Sequence, residues 1–140
     1  MKPKHQTAHM QAAHIYAELS TARRLKVGAL VVKDDRIISI GYNGMPKGWD
    51  NNCEQELEDG TIKTKPEVLH AETNAIAKLA RSVESGLDAD LFVTHSPCLD
   101  CAKLIYQAGI RRVYYATNYR DDSGIVFLKN SGVEVTKLDV

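Results

Sequence analysis

Asp90-Leu91-Phe92-Val93-Thr94-His95-Ser96-Pro97-Cys98-Leu99-Asp100-Cys101-Ala102-Lys103 decides the architecture of this chain. Asp90 to His95 is an apolar run rich in β-formers and reads as a strand. Cys98 to Ala108 reads as a helix, and Gly109 suits its C-terminal cap. A further strand, Arg112 to Ala116, follows at once. Downstream lie a short helix, Ile125 to Asn130, and a last strand, Val133 to Leu138. Strands alternating with helices favour parallel pairing in this half.

Upstream, His70 to Ser82 predicts a helix with Ala71, Ala75 and Leu79 as its buried stripe. Gly28 to Val32 and Arg36 to Ile40 predict two strands joined by the polar turn Lys33-Asp34-Asp35, an antiparallel hairpin. Met10, Ala13, His14 and Ala17 recur at helical spacing over His9 to Ser20. Gly41 to Pro66 is irregular, rich in Gly and Asn and then acidic, and predicts a long loop. Loops of that length in compact domains are often functional. The order α-β-β-α-β-α-β-α-β predicts one α/β domain over residues 1–140.

The bulk composition restricts the function classes. The chain has 140 residues, with 18 Lys plus Arg against 18 Asp plus Glu, a net charge of zero. That balance argues against a general nucleic-acid binder, which needs a positive excess. It leaves room for a small basic pocket. The longest apolar run, Val27 to Val32, is too short to span a bilayer. Met1 to Gln11 has no apolar core of the kind a secretory signal carries, so a cytoplasmic protein is expected. Three cysteines is an odd number, and two of them form a Cys-x-x-Cys, which in a reducing compartment points to metal or redox chemistry.

Two short motifs carry the chemistry, His70-Ala71-Glu72 and Pro97-Cys98-Leu99-Asp100-Cys101, each opening a predicted helix. A catalytic zinc site uses three N or S ligands and one open position. His70, Cys98 and Cys101 supply that set. Cysteines at i and i+3 of a first helical turn point to one side, and the helix N-terminus favours thiolates. Glu72 is free to move protons. A metal held there lowers the pKa of water, Glu72 takes the proton, and hydroxide attacks the ring carbon bearing an amino group. Glu72 then returns protons to the ring nitrogen and the departing ammonia. A lone Cys-x-x-Cys could be a redox pair or half of a structural zinc site, but no second one exists here. The combined order H-x-E then P-C-x-x-C is the known signature of zinc nucleobase deaminases.

At these residues the chain resembles the deoxycytidylate (dCMP) deaminases of the cytidine deaminase superfamily. The resemblance covers nearly the whole chain. It rests on Lys26-Val27-Gly28-Ala29, Gly41-Tyr42-Asn43-Gly44, His70-Ala71-Glu72-Thr73-Asn74-Ala75-Ile76, and Ser96 to Lys103 followed by Gln107-Ala108-Gly109-Ile110. Free cytidine deaminases usually carry Cys in place of His70, and tRNA adenosine deaminases typically have Met where this chain has Asp100. The resemblance implies a three-layer αβα, cytidine-deaminase-like fold with a mixed five-stranded sheet flanked by helices. It implies one catalytic Zn²⁺ per chain, dCMP converted to dUMP for thymidylate synthesis, and a homo-oligomer, often a hexamer. It also implies activation by dCTP and inhibition by dTTP, and leaves open whether Mg²⁺ accompanies the nucleotide effector. Only Cys53 lies in the long loop, which makes the extra structural zinc of some relatives doubtful.

Asn43 offers both a donor and an acceptor for reading a nucleoside. On spacing alone Asn-Gly reads first as a turn former; the resemblance reverses that in favour of the substrate role. A 5′-phosphate calls for arginine. Arg24 precedes the first strand, Tyr119 and Arg120 follow the fourth, and the resemblance assigns these positions to the phosphate and Ala71 to substrate contact. His95 reads mainly as a core histidine. His5, His9 and His14 recur at near-helical spacing, which could mimic a metal face but reads better as a polar or interface face of the first helix. For an effector site, Gly44 allows close backbone approach, Lys4 could meet a triphosphate and Trp49 could stack on a base. Two other functions stay open: another deaminase of the superfamily acting on tRNA adenosine or guanine, and a non-catalytic protein stabilised by zinc, for which Glu72 would be dispensable.

Overall fold

The structure, a computed structural model, describes residues 1–140. Its elements are α1 (Pro3–Ala17), β1 (Gly28–Lys33), β2 (Arg36–Tyr42), β3 (Glu54–Glu56), β4 (Ile62–Thr64), α2 (Ala71–Ala80), β5 (Asp90–His95), α3 (Leu99–Gln107), β6 (Arg112–Thr117), α4 (Ser123–Asn130) and β7 (Glu134–Lys137). The main sheet has the order β2-β1-β5-β6-β7. β1 pairs antiparallel with both β2 and β5, whereas β5-β6 and β6-β7 are parallel. The mixed five-stranded sheet expected from the sequence is therefore present.

Both faces of the sheet are covered, which is why its central strands are apolar without interruption. Along β1, Ala29 and Val31 point to one core and Leu30 and Val32 to the other. The larger core takes in Leu91 and Val93 of β5, Val113 of β6, Ala75 and Leu79 of α2, Ile105 of α3 and Leu128 of α4. The smaller core, on the opposite face, packs Met10 and Ala13 of α1 on Leu30, Phe92 and Tyr114. The layers are thus α1, sheet, and α2 with α3 and α4.

Two expectations need correction. The first helix runs from Pro3 to Ala17 rather than from His9 to Ser20. Proline fits the first helical position, but Lys4-His5-Gln6 carry no apolar stripe that would reveal it. His5 Nδ1 and His9 Nε2 both meet the carboxylate of Asp35, at 2.7 and 3.0 Å. Asp34 and Asp35 form the β1–β2 turn with φ of 52° and 59°, the left-handed pair a tight two-residue hairpin requires. Secondly, Gly41 to Pro66 is not one loop. β2 runs on to Tyr42, and β3 and β4 form a separate two-stranded sheet pairing Glu54 with Thr64. Strands of three residues, one of them Glu-Gln-Glu, have too little β-propensity to be read in advance.

Candidate metal centre and substrate cleft

His70 is the N-cap of α2 and Cys98 the N-cap of α3, both with extended backbone. The two helices start side by side at the end of β5. Two glycines permit the close approaches that hold them there. A Cβ on Gly41 of β2 would run into the carbonyl of Ala71, and one on Gly124 of α4 into the carbonyl of Pro97.

These helix starts bring His70, Cys98 and Cys101 together, with all ligand atoms within 4.8 Å of one another. His70 Nδ1 lies 3.2 Å from Cys101 Sγ and 3.6 Å from Cys98 Sγ. Thr73 Oγ1 is 3.6 Å from Cys101 Sγ, and the Cys101 backbone N–H donates to Cys98 Sγ at 3.5 Å. The Cys98 thiol is drawn down to about 4, first by the Cys101 thiol donating to it and then by His70. That same pairing with Cys98, with burial, pushes Cys101 well above the ordinary thiol range. One imidazole nitrogen and two sulfurs converging this tightly, one of them readily a thiolate, suit zinc. Cys53 is not in the cluster: it is buried, with its sulfur 3.4 Å from Thr21 Oγ1.

Glu72 is 4 % exposed, and burial pushes its carboxyl up to about 7. It lines a cleft of about 360 Å³ together with His70, Ala71 and Cys98. Arg24, Asn43, Tyr119 and Arg120 line the same cleft. The loop carrying Tyr119 is tied to the metal loop, for the Tyr119 N–H donates to Ser96 Oγ at 2.7 Å. Asn43 is more structural than its sequence position suggested. Its Oδ1 accepts from Val27 N–H at 2.9 Å and its Nδ2 donates to the Leu25 carbonyl at 2.7 Å. One amide hydrogen and one lone pair still remain for a ligand.

His95 is half-buried and sits in the cleft wall. Burial and the nearby His14 hold its pKa below the usual histidine range, which favours the neutral ring. Gly44, Lys4 and Trp49 are not gathered within one chain. Gly44 is bridged to Leu69, just ahead of His70. Trp49 is 57 % exposed. Lys4 stands in the first turns of α1, whose His5 and His9 bind the β1–β2 turn, at the far end of β2 from Gly44. Glu54 and Thr64 also line the cleft. They gave no sequence signal, since a Glu and a Thr in a polar segment look like ordinary surface.

Residues 3–117 match the family model of the cytidine and deoxycytidylate deaminase zinc-binding region. The fold matches the crystal structure of dCMP deaminase from the cyanophage S-TIM5 in complex with dCMP and dUMP, with a TM-score of 0.91, 50 % identity and 99 % of each chain covered. The chain is 41 % identical over 115 residues to ComE operon protein 2 of Bacillus subtilis (strain 168), a match that takes in 79 % of this chain but spans only 58 % of that relative. It is 33 % identical over 169 residues to the deoxycytidylate deaminase of Enterobacteria phage T4, covering 90 % of this chain and 86 % of the phage protein.

Proposed function

The chain belongs to the family of cytidine and deoxycytidylate deaminases that share this zinc-binding region, and on that premise we propose that it hydrolyses dCMP to dUMP and ammonia. The observation that carries the reading is a buried carboxylate, Glu72, sharing one cleft with the His70-Cys98-Cys101 cluster and with the arginines 24 and 120.

His70, Cys98 and Cys101 would hold one zinc ion. Bound to them, zinc supplies Lewis acidity that brings the pKa of water toward neutrality. Glu72 moves the protons. Its carboxyl is buried in the cleft wall beside the cluster, and burial raises its affinity for a proton. It accepts the proton of the attacking water, passes it to the ring nitrogen beside the amino-bearing carbon, and serves again as the amino group leaves. One water is consumed and one ammonia released. Arg24, Arg120 and Tyr119 bind the 5′-phosphate, while Asn43 and Ala71 contact the nucleoside.

The reading extends to regulation, with dCTP activating, dTTP inhibiting, Mg²⁺ accompanying the effector, and dUMP serving thymidylate synthesis. One chain keeps Lys4 away from Gly44 and Trp49, so an effector site using all three draws them from different copies of a homo-oligomer, of which a hexamer is the size proposed. The test is ammonia release by zinc-loaded protein from dCMP, CMP and deoxycytidine, each with and without dCTP and dTTP. Turnover confined to dCMP, raised by dCTP and lowered by dTTP, is the expected result. Equal turnover of deoxycytidine would discard the phosphate ligands, and silence on every cytosine substrate would discard the activity.

A further inference from the structure

We propose that Glu54 and Thr64, paired across the β3–β4 hairpin, are positioning residues that fix Arg24 at both its backbone and its guanidinium for a 5′-phosphate. The inference rests on the reading of Arg24 as a phosphate ligand.

Glu54 is 1 % exposed. A carboxylate buried to that degree is costly unless its oxygens are taken up by donors. Oε2 accepts from the backbone N–H of Arg23 at 2.8 Å and of Arg24 at 3.1 Å, and Oε1 accepts from Arg23 Nε at 3.5 Å. Those donors outweigh the effect of burial and hold the carboxyl below its ordinary range. Directly across the hairpin, Thr64 Oγ1 accepts from Arg24 Nη1 at 3.3 Å. One pair of facing residues therefore grips both ends of a single arginine.

The segment so held has no helix or strand of its own, because α1 ends at Ala17 and β1 begins at Gly28. Its backbone donors must find partners elsewhere. Asn43 secures the far end through Val27 and Leu25, and Glu54 secures the middle. The hairpin lies outside the main sheet, and Glu54, Thr64 and Arg24 all line the cleft. An unconstrained arginine loses much rotamer freedom when it binds an anion, and one already held loses less. Glu54 is itself negative in a cleft proposed for an anion, but its oxygens already face three N–H donors, two of them at fixed backbone positions.

The experiment is steady-state kinetics on dCMP for zinc-loaded wild type, Arg24→Ala, Glu54→Gln, Thr64→Val and the doubles of each hairpin variant with Arg24→Ala, with thermal melts alongside. The expected result is a rise in KM of about tenfold for Glu54→Gln and a few-fold for Thr64→Val, against kcat changed by less than about twofold. In the Arg24→Ala background neither hairpin variant raises KM further. A purely structural role for the hairpin gives losses that multiply, and that outcome overturns the proposal. So does a raised KM in Arg24→Ala beside unchanged values in both hairpin variants. An unchanged KM in Arg24→Ala strikes instead at the phosphate reading, and the proposal falls with it. If Glu54→Gln does not fold, the Thr64→Val and Arg24→Ala cycle decides alone.

Discussion

Glu54 and Glu72 are both buried carboxylates lining one cleft, yet their ionisation is driven in opposite directions. Burial disfavours the charge of each. At Glu54 the N–H donors of Arg24 and Arg23 reverse that effect, and at Glu72 burial prevails. The first is set to remain an anion and hold a loop, whereas burial raises the proton affinity of the second. We expect Glu72→Gln to keep one zinc per chain and an unchanged melting temperature, with deamination lower by roughly 10²–10⁴-fold. Metal analysis with an ammonia assay checks this, and retained turnover would remove Glu72 from the mechanism. His70, Glu72, Cys98 and Cys101 were legible because soft-donor residues at fixed short spacings are rare outside metal sites. Glu54 was not, because its partners lie about thirty positions away and nothing local in a Glu-Gln-Glu run signals burial.

Among the elements, the starts of α2 and α3 matter most. Their N-caps are His70 and Cys98, so any backbone shift of either helix moves a ligand atom. Gly124 holds α4 against the Pro97-Cys98 carbonyls, and a Cβ there would also lie 2.8 Å from the Cys98 oxygen. Gly124→Ala should lower stability by about 1–3 kcal/mol through overpacking and weaken zinc retention. Thermal melts and titration with a competing chelator measure the two effects. An unchanged melt with wild-type retention would mean that α4 does not brace the metal loop. At this scale β5 was read to its limits from its apolar run, and α3 to within its caps. α1 was shortened because its first two turns are polar, and β3–β4 was missed because three-residue strands fall below what pattern can resolve.

For the molecule as a whole, no helix is long and apolar enough to cross a membrane. Stability is expected to depend on acid through several loop carboxylates. Asp35 is held low by hydrogen bonds to His9 and His5, Asp59 by Thr61, and Asp121 by Ser123, in addition to Glu54. Each has a folded pKa below its unfolded value, 3.8 for Asp and 4.5 for Glu. Their contribution is therefore complete above those values and is lost as pH falls through the folded ones. These carboxylates should make the melting temperature decline below about pH 5, with a shallower decline in Asp35→Asn. A variant whose acid limb matches that of wild type would show that the α1–turn contact adds nothing. The parallel half of the sheet was legible from strands alternating with helices. The assignment of helices to the two faces was not, since it depends on contacts between distant segments.

The two halves of the site have different origins. The metal cluster is made of helix starts held close by glycines of β2 and α4, whereas most of the remaining cleft lining comes from outside the main sheet and the helices, around 22–27, 43–68 and 119–120. Such segments tolerate replacement far better than packed cores do. A lineage could therefore trade one ring or tail group for another by rewriting those three stretches while inheriting the hydrolytic centre intact. The fold then serves as a chassis for deamination, and its substrate range becomes a matter of interchangeable connecting segments.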